Sequence, residues 1–305
     1  PLRAMPAIHP DLRTAARVLP RHVPDFVFLK LARWLPHPPA RSIPGVTVRE
    51  LRAGSVRVLV FQPEGAVAPR PGLLWIHGGG YMIGAPEQDS ILCARFSKAL
   101  QATVVSVDYR LAPEHPYPAG LDDCVEAYDF LHRDAAALGV DPSRVIIGGA
   151  SAGGGLSAAL ALKLHDTQRP APKLQLLVYP MVDDRTVLRQ VDGLDVRVWS
   201  PKSNRLGWRS YLGREPGGAD VPDHAAPARR ADFSGLPPAW VGVGTNDLFH
   251  DEDVAYANAL RAAGVPVELH FVDGAFHGFD AVAPRSPVSR AFFDAQVDAI
   301  RRALV

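Results

Sequence analysis

The chain of 305 residues is 47% hydrophobic and 21% charged, with a mean hydropathy of +0.00, a composition that excludes the disordered, collagen-like and coiled-coil classes. Its 33 Lys and Arg stand against 32 Asp and Glu, a net charge of +1, without the basic excess that neutralises a phosphate backbone, so no nucleic-acid partner is expected. Such a length buries a substantial core without disulfide or metal staples, in two domains of roughly 150 residues or in one larger α/β unit.

The first 45 or so residues are rich in Pro (Pro20, Pro24, Pro36, Pro38, Pro39, Pro44) and hold two amphipathic stretches. Leu12, Ala15, Ala16 and Leu19 fall on one helix face, as do Val27, Leu31, Trp34 and Leu35. Helices this short are unstable alone in water, so both are expected to lie on a larger body, as a brace or as a lid. The chain opens at Pro1 without the apolar region of a signal peptide, and no stretch approaches the ~18 apolar residues of a membrane helix. The working expectation is a soluble, cytoplasmic protein without a transmembrane segment.

From Val46 the texture changes to apolar, β-branched runs. Val46–Leu51 and Val56–Gln62 read as an antiparallel pair, followed by strands at Leu73–His77, Thr103–Asp108, Val145–Gly149, Leu174–Tyr179, Trp240–Gly244 and Val267–Val272. Helical patterns occupy 89–101, 119–138, 151–166, 250–263 and 288–303. The later strands are near-continuous apolar runs, as expected when helices cover both faces of a parallel sheet, and strand alternating with helix marks an α/β fold. Cys93 and Cys124 fall inside two helical patterns; they are too few for a disulfide framework and lack metal-ligand spacing, and read as small buried residues. Residues 181–235 break the alternation, with Trp199, Trp208 and Tyr211 among Arg, Gly and Pro. A structureless loop of that length is uncommon, so a helical excursion between two strands is expected.

Two motifs carry chemistry. Gly149-Ala150-Ser151-Ala152-Gly153 follows a strand and precedes an Ala- and Leu-rich helix, the strand–turn–helix setting in which a sharp turn thrusts a serine hydroxyl out of a sheet. The turn sets Ser151 near a helix N-terminus, whose backbone donors favour developing negative charge; a close-packed glycine turn without chemistry is the competing reading. Trp75-Ile76-His77-Gly78-Gly79-Gly80-Tyr81 leaves the third strand. Consecutive glycines let backbone N–H groups point inward unobstructed, as an oxyanion site requires, and the spacings of phosphate-cradling loops are absent. Asp247 and His277 each follow the C-terminal end of a strand, the edge where α/β sheets place their sites. Ser151, Asp247 and His277 stand in the chain order of a nucleophile, acid and base on such a sheet. Asp251, Glu252 and Asp253 compete as acids but fall inside the next helix; His250 and His270 compete as bases, His270 within a strand.

With these motifs in place, the chain resembles the hormone-sensitive-lipase-type (bacterial family IV) carboxylesterases of the α/β-hydrolase fold. Asp108-Tyr109-Arg110-Leu111-Ala112-Pro113-Glu114 with His115-Pro116-Tyr117-Pro118-Ala119, Gly244-Thr245-Asn246-Asp247 and Phe276-His277-Gly278-Phe279 are similar to further segments of that family, in family order from about residue 70 to 280. The resemblance implies a mostly parallel eight-stranded sheet flanked by helices, with a catalytic core at 46–180 and 236–305 and a helical cap from 1–45 and 181–235. It implies a serine carboxylester hydrolase acting on short-to-medium acyl esters, with Ser151 as nucleophile, His277 as base and Asp247 as acid. Backbone N–H groups of Ala152 and, by resemblance, Gly79 and Gly80 would hold the oxyanion, with Gly78 shaping the loop. The expected partner is a small ester; a homodimer is an allowed assembly, and no cofactor and no metal is implied. One departure is Ala150, where the family usually has Asp or Thr. A receptor that has lost catalysis, or an amidase or peptidase on the same scaffold, are the competing classes.

Overall fold

The computed structural model describes residues 7–19, 38–189 and 196–305. Among them, β1 (Val46–Ala53), β2 (Val56–Pro63), β3 (Arg70–Ile76), β4 (Thr103–Val107), β5 (Val140–Ala150), β6 (Gln175–Val178), β7 (Ala239–Gly244) and β8 (Val267–Val272) form one sheet in the order β1-β2-β4-β3-β5-β6-β7-β8. β1 pairs with β2, and β2 with β4, antiparallel; every later pairing is parallel. This is the expected α/β-hydrolase architecture. β4, β6 and β7 are buried along their whole length, which explains why they read as unbroken apolar runs rather than alternating ones.

The α-helices among the described residues are α1 (Arg13–Val18), α2 (Ser90–Leu100), α3 (Ala119–Arg133), α4 (Ala135–Leu138), α5 (Ala152–Asp166), α6 (Pro201–Leu212), α7 (His250–Ala262), α8 (Phe279–Val282) and α9 (Pro287–Ala303). The period of two along the strands divides the core between the sheet's faces. Leu74 and Ile76 of β3 pack with Tyr128 and Leu131 of α3 and Leu156 and Leu160 of α5. Leu73 and Trp75 pack with Phe96 of α2 and Phe292, Phe293 and Ile300 of α9. Cys93 and Cys124 are free and buried. No described helix is long and apolar enough to cross a membrane.

Three expectations change in detail. The helical pattern over 119–138 divides at Asp134, whose backbone (φ −101, ψ 18) leaves the helix between α3 and α4. β5 begins five residues earlier than the apolar run, because it extends through Asp141-Pro142-Ser143 at a partly exposed end. The described residues of the 181–235 excursion hold one α-helix, α6, and two 3₁₀ turns at Asp184–Leu188 and Pro227–Arg229 among irregular chain. A buried polar clamp orders it: the Asp184 carboxylate accepts from the Arg229 guanidinium at 2.6 and 2.9 Å and from the Gly217 N–H at 2.6 Å, bonds that have no periodic signature. The second amphipathic stretch, 27–35, and residues 190–195 lie outside the described residues.

The first stretch is visible and packs against the sheet's C-terminal edge. Leu12 and Ala16 are buried in the α9-side core with Ala275, Phe276 and Phe279. The His9 N–H donates to the Gly274 carbonyl at 3.0 Å, and the Val288 N–H to the Asp11 carboxylate at 3.1 Å.

Candidate active site

Ser151 closes β5 and opens α5 with φ +56 and ψ −121, a conformation costly for a side-chain-bearing residue that persists only where its surroundings hold it. Here they do: the Ser151 N–H donates to the Val178 carbonyl at 2.9 Å, and its own carbonyl accepts from Gly155 and Met181 at 2.9 and 3.0 Å. The turn is pressed against the end of β3, and a methyl group on Gly153 would lie 2.0 Å from the Ile76 carbonyl oxygen. Only glycine fits this contact.

Loops after β7 and β8 bring the other two side chains to the serine. The Ser151 Oγ lies 2.9 Å from His277 Nε2, and His277 Nδ1 lies 2.8 Å from Asp247 Oδ2. All three residues are buried, at 7, 5 and 5% exposure for Ser151, His277 and Asp247. The second Asp247 oxygen accepts the Phe249 N–H at 2.9 Å. A carboxylate accepts only, so the imidazole carries its proton on Nδ1 and turns the Nε2 lone pair to the serine hydroxyl. The rings of Phe249 and Tyr179 stand edge-on to the imidazole, with centroids at 5.1 and 4.9 Å.

The glycine loop faces the serine directly: a methyl on Gly78 would lie 3.3 Å from Ser151 Cβ. Gly79 (φ +129) and Gly80 (φ +58) adopt conformations that favour glycine, and the Gly79 carbonyl closes the turn by accepting from Met82 and Ile83 at 3.0 and 3.1 Å. Ala152 is the first residue of α5, where helix N–H groups lack an intrahelical acceptor. Two residues in segments already singled out support this loop through contacts that the sequence does not show. Tyr109 stacks under His77 at 4.3 Å and donates its hydroxyl to the His77 carbonyl, which gives the Asp108–Ala119 segment its place. Trp199, from the excursion, fills the space in front of Gly80.

The competing residues sit elsewhere. Asp251 is exposed on α7 and contacts His250. Glu252 is buried and accepts from the Val182 and Asp183 N–H groups at 2.8 and 3.1 Å, with Thr186 on its other oxygen; burial pushes its carboxyl up to about 8. Asp253 is buried on α7, and burial raises its carboxyl likewise. His270 lies on β8 stacked against Trp240, and burial lowers its pKa. Among the described residues no group of three His, Cys, Asp or Glu could hold a metal ion.

Residues 73–281 match the model of a family described as alpha/beta hydrolase fold. The carboxylesterase NlhH of Mycobacterium tuberculosis is 35% identical over 278 residues, covering 87% of this chain and 86% of that protein. An ethyl acetate hydrolase of Pseudomonas putida is 30% identical over 282 residues, 88% of this chain and 87% of its own. Among solved structures, a bacterial heroin esterase superposes with a TM-score of 0.89 at 36% identity, covering 98% of both chains.

Proposed function

Because the chain belongs to the α/β-hydrolase family, in its hormone-sensitive-lipase-like branch, and is an ester-hydrolysing enzyme, we propose that Ser151, His277 and Asp247 are the residues that perform the hydrolysis. The observation that carries this reading is the unbroken chain Ser151 Oγ–His277 Nε2, 2.9 Å, and His277 Nδ1–Asp247 Oδ2, 2.8 Å.

His277 removes the Ser151 proton as the oxygen attacks the ester carbonyl, and Asp247 holds the Nδ1–H tautomer and offsets the imidazolium charge. Backbone N–H groups of Gly79, Gly80 and Ala152 receive the tetrahedral oxyanion. His277 then protonates the leaving alcohol, and water repeats the sequence on the acyl-enzyme through the same base. No step uses a metal or an organic cofactor.

The substrates we assign to this site are short-to-medium acyl esters. Trp199 stands against Gly80 with its ring centroid 6.5 Å from the His277 ring, so bulky aromatic surface restricts the space beside the reacting centre. The name of the ethyl acetate hydrolase relative points the same way. Within the proposed cap, Trp199 of the excursion supplies this wall, while residues 7–19 serve as a brace, since their contacts run to the 274–279 segment and to α9. Ser151→Ala tests the core of the proposal. Loss of 4-nitrophenyl ester hydrolysis and of labelling by a fluorophosphonate is expected, with unchanged circular dichroism. Retained hydrolysis removes Ser151 from the reaction, and an acyl-length series from acetate to decanoate tests the substrate range. A matched anilide turned over as fast as the ester would favour an amidase.

A further inference from the structure

A second carboxylate stands behind His277. Asp280 lies in the first turn of α8, three residues after the histidine, and its Oδ1 accepts the Tyr179 hydroxyl at 2.7 Å. Tyr179 is anchored from the other side: its N–H donates to the Gly242 carbonyl at 2.7 Å, and its backbone has φ +35, a conformation that L side chains seldom adopt. So held, the Tyr179 ring stands edge-on to the His277 imidazole at 4.9 Å. One side chain thus touches both the imidazole and the Asp280 carboxyl, over a separation of 101 residues in the chain.

We propose that Tyr179 and Asp280 are positioning residues for His277: the Tyr179 ring fixes the plane of the imidazole, and the Asp280 carboxylate supplies, behind Asp247, a second negative charge toward the imidazolium that forms in each proton transfer. The proposal rests on His277 being the base. The charged and titratable groups around Asp280 are Tyr179, His277, Asp89 before α2 and Arg95 on α2; those facing His277 are Asp247, Ser151, Tyr179 and Asp280. Burial raises the Asp280 carboxyl, while the Tyr179 hydroxyl, backbone N–H groups and His277 pull it back toward ionisation. Opposite charges attract, so an ionised Asp280 stabilises the imidazolium that forms as the serine proton is transferred.

Asp280→Asn isolates the charge. Asn keeps an oxygen for the Tyr179 hydroxyl and is nearly the same shape. The acid limb of the kcat/KM profile then moves to lower pH, kcat at the plateau falls three- to tenfold, and KM stays within twofold. Thermal stability is unchanged or higher, because a buried charge is removed. A residue with a purely structural role would lower stability and leave the limb where it was. Tyr179→Phe keeps the ring but removes the hydroxyl that favours the ionised carboxyl, and shifts the limb in the same direction by less. Superimposable profiles and kcat within twofold for both folded variants overturn the proposal. Ser151→Ala, run alongside, separates the two readings: retained hydrolysis there refutes the reaction scheme, whereas an inactive Ser151→Ala with an unshifted Asp280→Asn refutes only the role of Asp280.

Discussion

Replacing Asp247 by Asn exchanges one oxygen for an NH₂ group inside a site with no slack. Each carboxylate oxygen has a fixed donor, the Phe249 N–H at 2.9 Å on one and His277 Nδ1 at 2.8 Å on the other. If the Asn oxygen stays on Phe249, its NH₂ faces Nδ1, and two donors cannot oppose each other. The imidazole must then move its proton to Nε2, which turns a donor toward Ser151 and can no longer accept the serine proton. If the amide flips, its NH₂ meets the Phe249 N–H and leaves buried donors unpaired, at a cost of about 1–3 kcal/mol. The unproductive orientation therefore dominates by roughly five- to 150-fold. Even the flipped fraction has lost the charge opposite the imidazolium. Together these predict a fall in kcat of about 10⁴-fold, the loss that wrong-tautomer substitution brings to Ser-His-Asp hydrolases, equivalent to about 5.4 kcal/mol of transition-state stabilisation. KM should change little, since Asp247 touches no substrate in this scheme. Initial rates on 4-nitrophenyl butyrate, normalised by active-site titration, give the number. A kcat within tenfold of the parent enzyme would refute the assignment of Asp247 and the tautomer argument with it.

Gly80→Ala places a methyl 2.0 Å from the Trp199 ring at a φ of +58; kcat/KM should fall at least tenfold, and the unfolding midpoint should drop through backbone strain of about 1–2 kcal/mol added to overpacking of about 1–3 kcal/mol. Leu12→Ala empties a fully buried position and should cost about 2–5 kcal/mol of stability. If residues 7–19 are a brace, KM for acetate and octanoate esters keeps its ratio, and a changed ratio would assign them to the substrate pocket instead. Glu252 is held near 8 in the folded protein against 4.5 as its ordinary value, so the native state binds its proton more tightly than the unfolded chain. That contribution is complete below about 4.5 and is lost as pH rises to about 8. Glu252→Gln keeps acceptors for Val182 and Asp183 and should flatten the melting temperature across that window; an unaltered slope would show that Glu252 does not titrate on unfolding.

Strands and the serine turn were legible because each leaves a local mark. Leu176–Tyr179 and Trp240–Gly244 are too apolar to be anything but buried, and Ser151 sits among residues small enough for one kind of turn. Asp247 and His277 were readable through position, each just past a strand end. Glu252 and Asp253 were separable from Asp247 because the helix they begin is itself visible in the sequence. The break at Asp134 was not legible, since Ala135-Ala136-Ala137-Leu138 is as good a helix as what precedes it. Nor was the order within 181–235, which depends on Asp184 meeting Arg229 and Gly217 across 45 and 33 residues. Trp199 before Gly80, Tyr109 under His77 and Asp280 behind Tyr179 share that character. They are pairings between distant segments, and composition and period are blind to distance in space.

The contact between Gly153 and the Ile76 carbonyl joins the serine turn to the root of the glycine loop, and this divides the molecule into parts of unequal evolvability. The Ser151 oxygen and the loop facing it hang from the neighbouring strands β3 and β5. The wall in front of them comes from a segment tied down at Met181, whose N–H meets the Ser151 carbonyl and whose own carbonyl receives the Tyr81 hydroxyl. A library that recombines residues 196–226, leaving the tether and both glycine turns intact, should therefore sample new ester preferences without retuning the attack geometry, whereas variation at Gly78 or Gly153 discards the reaction along with the preference.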